Sequence, residues 1–153
     1  MWIRIALLTL ALMLIIICFR APEILSDQNS FFEEFVNHEF LSFMGLLVTI
    51  TLVSATNLFI ELHKLEAKFG VGSFKKTRKD VRQSAVVLIY FLIISILIVV
   101  IKPLWSFSEL CTSLINSSAL FLLIASCMML LDITNAAFRV APLMGHGEDV
   151  KGE

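Results

Sequence analysis

An all-α, polytopic membrane protein with four transmembrane helices is the fold class this sequence predicts, and three observations predict it. The 153 residues are 58% hydrophobic, and the mean hydropathy is +0.90. One small soluble core cannot hide that much apolar surface. Four apolar runs approach the length of about 20 residues that a spanning helix needs: residues 2–19, 41–60, 84–101 and 117–137. Finally, the charged residues divide between the connecting segments instead of interrupting the runs.

The first run begins with Arg4 and continues through an apolar centre. Cys18-Phe19-Arg20-Ala21 lacks the spaced small residues of a secretory cleavage site, and Ile17 before Cys18 is unlike a lipoprotein site. The run therefore reads as an uncleaved first helix, ended by Pro22. The outer loop that follows is acidic, with Glu23, Asp27, Glu33, Glu34 and Glu39. Its segment Phe31-Phe32-Glu-Glu-Phe35-Val36-Asn-His-Glu-Phe40 is amphipathic, and its acids read as a solvated face or as an acidic ring at a pore mouth.

Ser30 with Glu33 has capping-box form, so the second helix is expected to run unbroken from Phe31 to Phe69. At 1.5 Å per residue this is roughly 58 Å, which overshoots a hydrocarbon core of about 30 Å. Beyond the membrane, Leu62, Leu65 and Phe69 keep helical spacing, Gly70-Val71-Gly72 breaks the helix, and Ser73 is the expected cap of the next. Phe74, Thr77 and Val81 are expected to meet that apolar edge. The second and third helices thus form a hairpin with a short cytoplasmic tip.

The third helix is mostly Val, Ile and Leu, with Tyr90 and Ser95 as exceptions, and is expected to face lipid. Lys102-Pro103 stops it, and Trp105 sits where interfacial tryptophans gather. The fourth helix closes one transmembrane domain over residues 1–144, and residues 145–153 read as a short disordered tail.

Charge sets the orientation. Arg4, Lys64, Lys68, Lys75, Lys76, Arg78, Lys79, Arg82, Arg139 and Lys151 fall on one side, which is ten of the twelve basic residues, and only Arg20 and Lys102 fall on the other. The positive-inside rule then places both termini in the cytoplasm. The net charge of −1 hides this division. The basic tip Lys75, Lys76, Arg78, Lys79 and Arg82 reads as an anchor for anionic headgroups or as a dock for a soluble partner. Nucleic acid is not expected, because only Phe74 accompanies the charges and base stacking wants interleaved aromatics.

Residues 49–58, Thr-Ile-Thr-Leu-Val-Ser-Ala-Thr-Asn-Leu, carry the densest polarity inside an apolar run. In lipid such groups seek other helices or water. At 100° per residue, Ser42, Gly45, Thr49 and Thr56 form one stripe, and Ser54, Asn57 and Glu61 form another about 140° away. One reading lines a pore or a substrate path. The other is plain packing, with hydroxyls satisfying backbone carbonyls and Gly45 allowing close approach. On the fourth helix, Ser118, Ala125, Asp132 and Arg139 recur every seven residues, and Asn135 follows Asp132 by three. Asn57, Glu61, Asp132, Asn135 and Arg139 are expected at similar inner depth, where they form a candidate polar cluster. An intramembrane acid defaults to a functional hypothesis, against the alternative of a wet interfacial acid neutralised by Arg139.

Chemistry-bearing motifs are absent. There is no GxSxG, HExxH, Walker motif or phosphate-binding glycine loop. Ser126 and Cys127 have no His on a membrane helix to activate them. The chain is expected to be neither an enzyme nor a cofactor carrier. Three cysteines without CxxC, and His38, His63 and His146 scattered along the chain, suggest no metal site. Cys18 and Cys111 both fall near the outer face, where either a disulfide or two free thiols is open.

Leu41-Ser-Phe-Met-Gly45, the run 49–57, the basic tip 75–82 and Ser84-Ala-Val-Val together resemble the arrangement in RexB-type phage-exclusion proteins. The likeness covers about residues 41–102 and rests on order and composition, and the acidic, Phe-rich outer loop departs from the family pattern. The resemblance implies a four-helix protein of the bacterial inner membrane that acts as a depolarising ion channel in antiviral defence. It transfers no site residue. From the residues themselves, homo-oligomers are expected, most simply tetramers or pentamers, because one four-helix subunit encloses no channel. The alternatives are an accessory scaffold docking a soluble partner through the basic tip, and an ion-coupled transporter using Asp132.

Overall fold

The computed structural model describes residues 2–70, 74–105 and 107–145. Among the described residues, six α-helices follow in order: α1 (Trp2–Arg20), α2 (Pro22–Leu25), α3 (Ser30–Phe35), α4 (His38–Phe69), α5 (Lys75–Ile101) and α6 (Glu109–Gly145). A 3₁₀ turn, Lys102–Leu104, follows α5. No strand occurs among the described residues.

Three helical stretches are long and apolar enough to cross a membrane: His38–Ala67, Lys75–Leu104 and Glu109–Val140. A fourth is reached only when Ile5–Arg20 and Pro22–Phe35 count as one span, and that pair is bent by 117°. The fold class is therefore all-helical with three or four candidate spans, and the first is the least regular. Pro22 marks the bend. Its ring removes a backbone donor and disfavours helix at the preceding residue, and Ala21 sits at φ −149°.

The second helix is not the unbroken rod expected from Phe31. Val36 adopts φ −79° and ψ 63°, and the Asn37 N–H reaches the Phe35 carbonyl at 2.8 Å. This is an inverse γ-turn, and it separates the six-residue α3 from the 32-residue α4. Nor is Ser30 the cap. Asn29 takes that place, its side chain accepting from the Phe31 N–H at 3.1 Å. At the other end Gly70, at φ +103°, stops α4 in a backbone conformation that favours glycine. The expected cap Ser73 and the side chain of Phe69 lie outside the described residues. The fourth helix begins eight residues before the apolar run that predicted it, at Glu109, and continues to Gly145. The rest of the expected tail also lies outside the described residues.

α6 is the central element. α1, α2, α4 and α5 all pack on it, and α4 packs on α5 as well. Two apolar clusters result. One, around Leu14, Leu25, Phe32, Phe40, Met44, Ala119 and Leu122, fills the end where α2 and α3 lie. The other joins Ala55, Leu58, Leu62 and Leu65 to Val81, Ile133 and Val140, with Phe74 against it. The apolar edge expected between Leu62, Leu65, Phe74 and Val81 is thus present.

Of the three long helices α4, α5 and α6, α5 is the least buried. Only 11% of its span window is buried, against 33% for α4 and for α6. Val81, Leu88 and Ser95 are its buried residues, and Ser95 is the polar one. It is fully buried, and its hydroxyl donates to the Phe91 carbonyl at 2.8 Å.

Candidate functional site

Which face of α4 turns inward decides the character of the site. Phe40, Met44, Val48, Thr51, Ala55, Leu58, Leu62 and Leu65 are buried, in steps of three and four that make one inward stripe. Thr51 is polar, and its hydroxyl reaches the Leu47 carbonyl at 2.6 Å; Glu66, one turn beyond Leu62, is the buried acid of the same helix. On the opposite face Leu46, Ile50, Val53 and Ile60 are exposed, and with them Ser42, Thr49, Thr56 and Asn57. Ser54 and Glu61 are half-buried at the flank.

The hydroxyls of this outward face are satisfied locally. Ser42 donates to the His38 carbonyl at 3.0 Å, Thr49 to Gly45 at 2.7 Å, Ser54 to Ile50 at 2.9 Å and Thr56 to Leu52 at 2.8 Å. Such back-bonding is how hydroxyls reside in helices without a partner helix. Asn57 has no side-chain hydrogen bond among the described residues, and its amide cannot be satisfied in this way. Gly45 makes no tight intrachain approach, because a Cβ placed there would meet nothing within 4 Å. The close packing expected of Ser42 and Gly45 is therefore not made within the chain.

The stripe on α6 is split. Ala125 is fully buried, whereas Ser118, Asp132, Asn135 and Arg139 are exposed. Ser118 donates to the Leu114 carbonyl at 2.8 Å. Asp132, Asn135 and Arg139 make no side-chain hydrogen bond or ion pair among the described residues, and Glu61 pairs with Lys64 on its own helix at 2.7 Å. No hydrogen bond or ion pair joins the expected five-residue cluster among the described residues. The chain presents outward polar residues on both helices, Thr49, Thr56 and Asn57 on α4 and Asp132, Asn135 and Arg139 on α6.

Two polar locks hold the bundle at its ends. At the end carrying the α4–α5 connection, Arg78 Nη1 lies 2.7 Å from Glu66 Oε2 and 3.3 Å from His63 Nδ1, with the guanidinium 5.7 Å from the Phe59 ring centroid. Arg78 is thereby engaged within the hairpin, while Lys75, Lys76, Lys79 and Arg82 remain exposed. At the opposite end, buried Lys102 places Nζ 2.9 Å from Asp27 Oδ1 and 3.0 Å from the Phe32 carbonyl. Asn116 Nδ2 donates to the same Asp27 oxygen at 2.9 Å and to the Leu25 carbonyl at 2.8 Å. Nearby, Cys18 Sγ and Ser117 Oγ are 2.8 Å apart.

The sequence holds two signals for the Lys102–Asp27–Asn116 lock, namely a lysine abutting the apolar run before Pro103 and an asparagine abutting the fourth run. Neither says which partner is reached. A polar pocket of about 470 Å³ lies beside the lock, lined in part by Ser26, Asp27, Gln28 and Glu109, and the Gln28 amide donates to the Glu109 carboxylate across it. All three cysteines are free, including Cys18 and Cys111. No group of three metal-ligating side chains occurs among the described residues. Comparison with protein-family models, with curated proteins and with solved structures found no match.

Proposed function

We propose that this chain is a multi-pass protein of the bacterial inner membrane that works as a homo-oligomer, with the outward patches of α4 and α6 meeting between subunits and bordering an ion-conducting path. One observation carries the reading: Asn57 and Asp132 lie within helices apolar enough to cross a membrane, are exposed, and have no side-chain partner among the described residues. Lipid gives an amide or a carboxylate nothing to bond, and leaving such a group unpaired in hydrocarbon costs several kcal/mol. A neighbouring subunit or water supplies the missing partners. Closed symmetry repeats that contact around an axis, and the polar residues then ring it. A depolarising role in phage exclusion or stress is the nearest class, and it is supported by the arrangement of residues 41–102 alone.

The experiment is ion flux into vesicles reconstituted with the purified protein. Flux should fall at least tenfold in Asp132→Ala and in Asn57→Ala, and should persist in Tyr90→Phe, which alters an exposed residue of α5. Full flux in both polar variants would remove the proposed path.

A second reading is a scaffold that docks a soluble partner. It is favoured by Lys75, Lys76, Lys79 and Arg82, which stay exposed without partners among the described residues while Arg78 is engaged. Flux from the purified protein alone separates the two readings, since a scaffold conducts nothing. Proton- or ion-coupled transport through Asp132 is distinguished by uptake that depends on a gradient.

A further inference from the structure

An apolar groove of about 240 Å³ opens between α4 and α5, lined by Ala55, Thr56, Phe59, Val81, Arg82 and Ala85. The small side chains of Ala55 and Ala85 make the indentation, and the Thr56 hydroxyl is withdrawn from it by its bond to the Leu52 carbonyl. The groove lies where the apolar run of α5 begins and that of α4 ends, so its depth is that of a headgroup boundary. Arg82 at its rim is exposed and has no hydrogen bond or ion pair among the described residues. Arg78, one turn away, is held by Glu66 and His63 and lies against Phe59. Arg78 therefore braces Phe59, a wall residue of the groove, and is itself already engaged, unlike Arg82. At 100° per residue, Lys75 and Lys79 fall within about 60° of Arg82 on α5, and Asp80 falls about 160° away. A methylene-lined slot thus ends at a cationic stripe with no acid on the same face of the helix.

We infer that this groove is a binding site for one anionic phospholipid of the cytoplasmic leaflet, with an acyl chain between α4 and α5 and the phosphate on Arg82, Lys79 and Lys75. Charge complementarity selects the headgroup, and the apolar lining selects a lipid over a free anion. The inference rests on α4 and α5 spanning the bilayer with the basic tip inside, as proposed above, and not on a conducting pore. A monomeric protein without flux that still selects this lipid would retire the pore and keep the site.

The test is native mass spectrometry of the detergent-solubilised full chain, titrated separately with phosphatidylglycerol, phosphatidylcholine and inorganic phosphate. Phosphatidylglycerol should bind at one per chain, and about fivefold more tightly than phosphatidylcholine, since one basic residue near the headgroups is worth about 1 kcal/mol. Arg82→Gln should erase that preference. Ala85→Leu and Thr56→Leu, which fill the groove from opposite walls, should each weaken both lipids while leaving the thermal midpoint in place. Lys76→Gln, about 120° from Arg82 on the helix, should change nothing. Equal losses in Arg82→Gln and Lys76→Gln would mean diffuse attraction and overturn the site. So would lipid binding untouched by both groove-filling variants, or displacement of the lipid by inorganic phosphate.

Discussion

Lys102 Nζ lies 2.9 Å from Asp27 Oδ1, and Asn116 donates to the same oxygen at 2.9 Å. The lysine side chain is 11% exposed and the aspartate 31%, so the two ends of the bridge are not equivalent. Removing the aspartate leaves an ammonium buried with only the Phe32 carbonyl. Removing the ammonium leaves a carboxylate that keeps Asn116 and partial access to water.

The order of two substitutions follows. Asp27→Ala should cost about 2–4 kcal/mol, near the range for breaking a buried pair after allowing for the partly exposed partner. Lys102→Met, which keeps the apolar stem, should cost about 1 kcal/mol or less. Denaturant titration in mild detergent reads both. Equal costs, or the reverse order, would show that the ammonium is not the sensitive partner.

Arg78 makes the matching prediction at the other end. Arg78→Ala removes the Glu66 bridge and the contact with the Phe59 ring, and leaves buried Glu66 without its cation. A loss of about 2–4 kcal/mol is expected. Arg78→Lys should recover only part of it, because an ammonium lacks the planar fork. Lys76→Ala should lie within about 0.5 kcal/mol of the parent, as an exposed lysine does. The same thermal melts compare all three, and full recovery with lysine would mean that charge alone fastens the hairpin.

How much of this was legible in the sequence depends on the range of the interaction. The hairpin of α4 and α5 was legible because Gly70 must break the helix, and because Leu62, Leu65 and Val81 carry helical spacing that only a neighbour can bury. The break at Val36 was not. Its local sequence supports helix on both sides, and an inverse γ-turn has no composition of its own. The faces of α4 were ambiguous because hydroxyls occur all round the helix. Thr51 turned inward and Thr49 outward, a choice made by packing on α5 and α6 and not by either side chain. Ser95 lies on a helix that reads as lipid-facing as a whole, and packing turns it inward. Asn116 and Lys102 each abut apolar runs, but their partners lie 70 to 91 residues away in the chain, beyond anything periodicity encodes. Asn57 and Asp132 stand out in the sequence as polar groups inside apolar runs, and no hydrogen bond joins them among the described residues.

Orientation is open to a direct check. The division of ten basic residues against two predicts cytoplasmic termini. A periplasm-active reporter fused after Lys151 should be silent, and one fused after Gln28 should be active. Activity at the C-terminus would reverse the topology and place the basic tip outside.

Gly45 separates folding from assembly. A Cβ there meets nothing within 4 Å, so Gly45→Leu should keep or raise chain stability, since glycine costs about 1 kcal/mol in a helix interior. If the outward side of α4 is an intersubunit surface, the added bulk should weaken the oligomer by about 1–3 kcal/mol. Native mass and thermal melts on the same sample report the two effects separately. A destabilised chain would point to an intrachain contact, and an unchanged oligomer would place the interface elsewhere.

The central claim is that the outward polar patches of α4 and α6 meet between copies of this chain. Paired cysteine crosslinking in native membranes tests it most directly. In a background lacking Cys18, Cys111 and Cys127, cysteine is placed at Asn57 alone, at Asp132 alone, or at both sites in separate co-expressed copies. The account predicts rapid oxidative crosslinks between Asn57 and Asp132 positions of different chains, seen as a covalent dimer because each copy carries one cysteine, and none when the single cysteine is placed at Tyr90 of α5. Monomer alone at every pairing, with monomer mass in mild detergent, would contradict it.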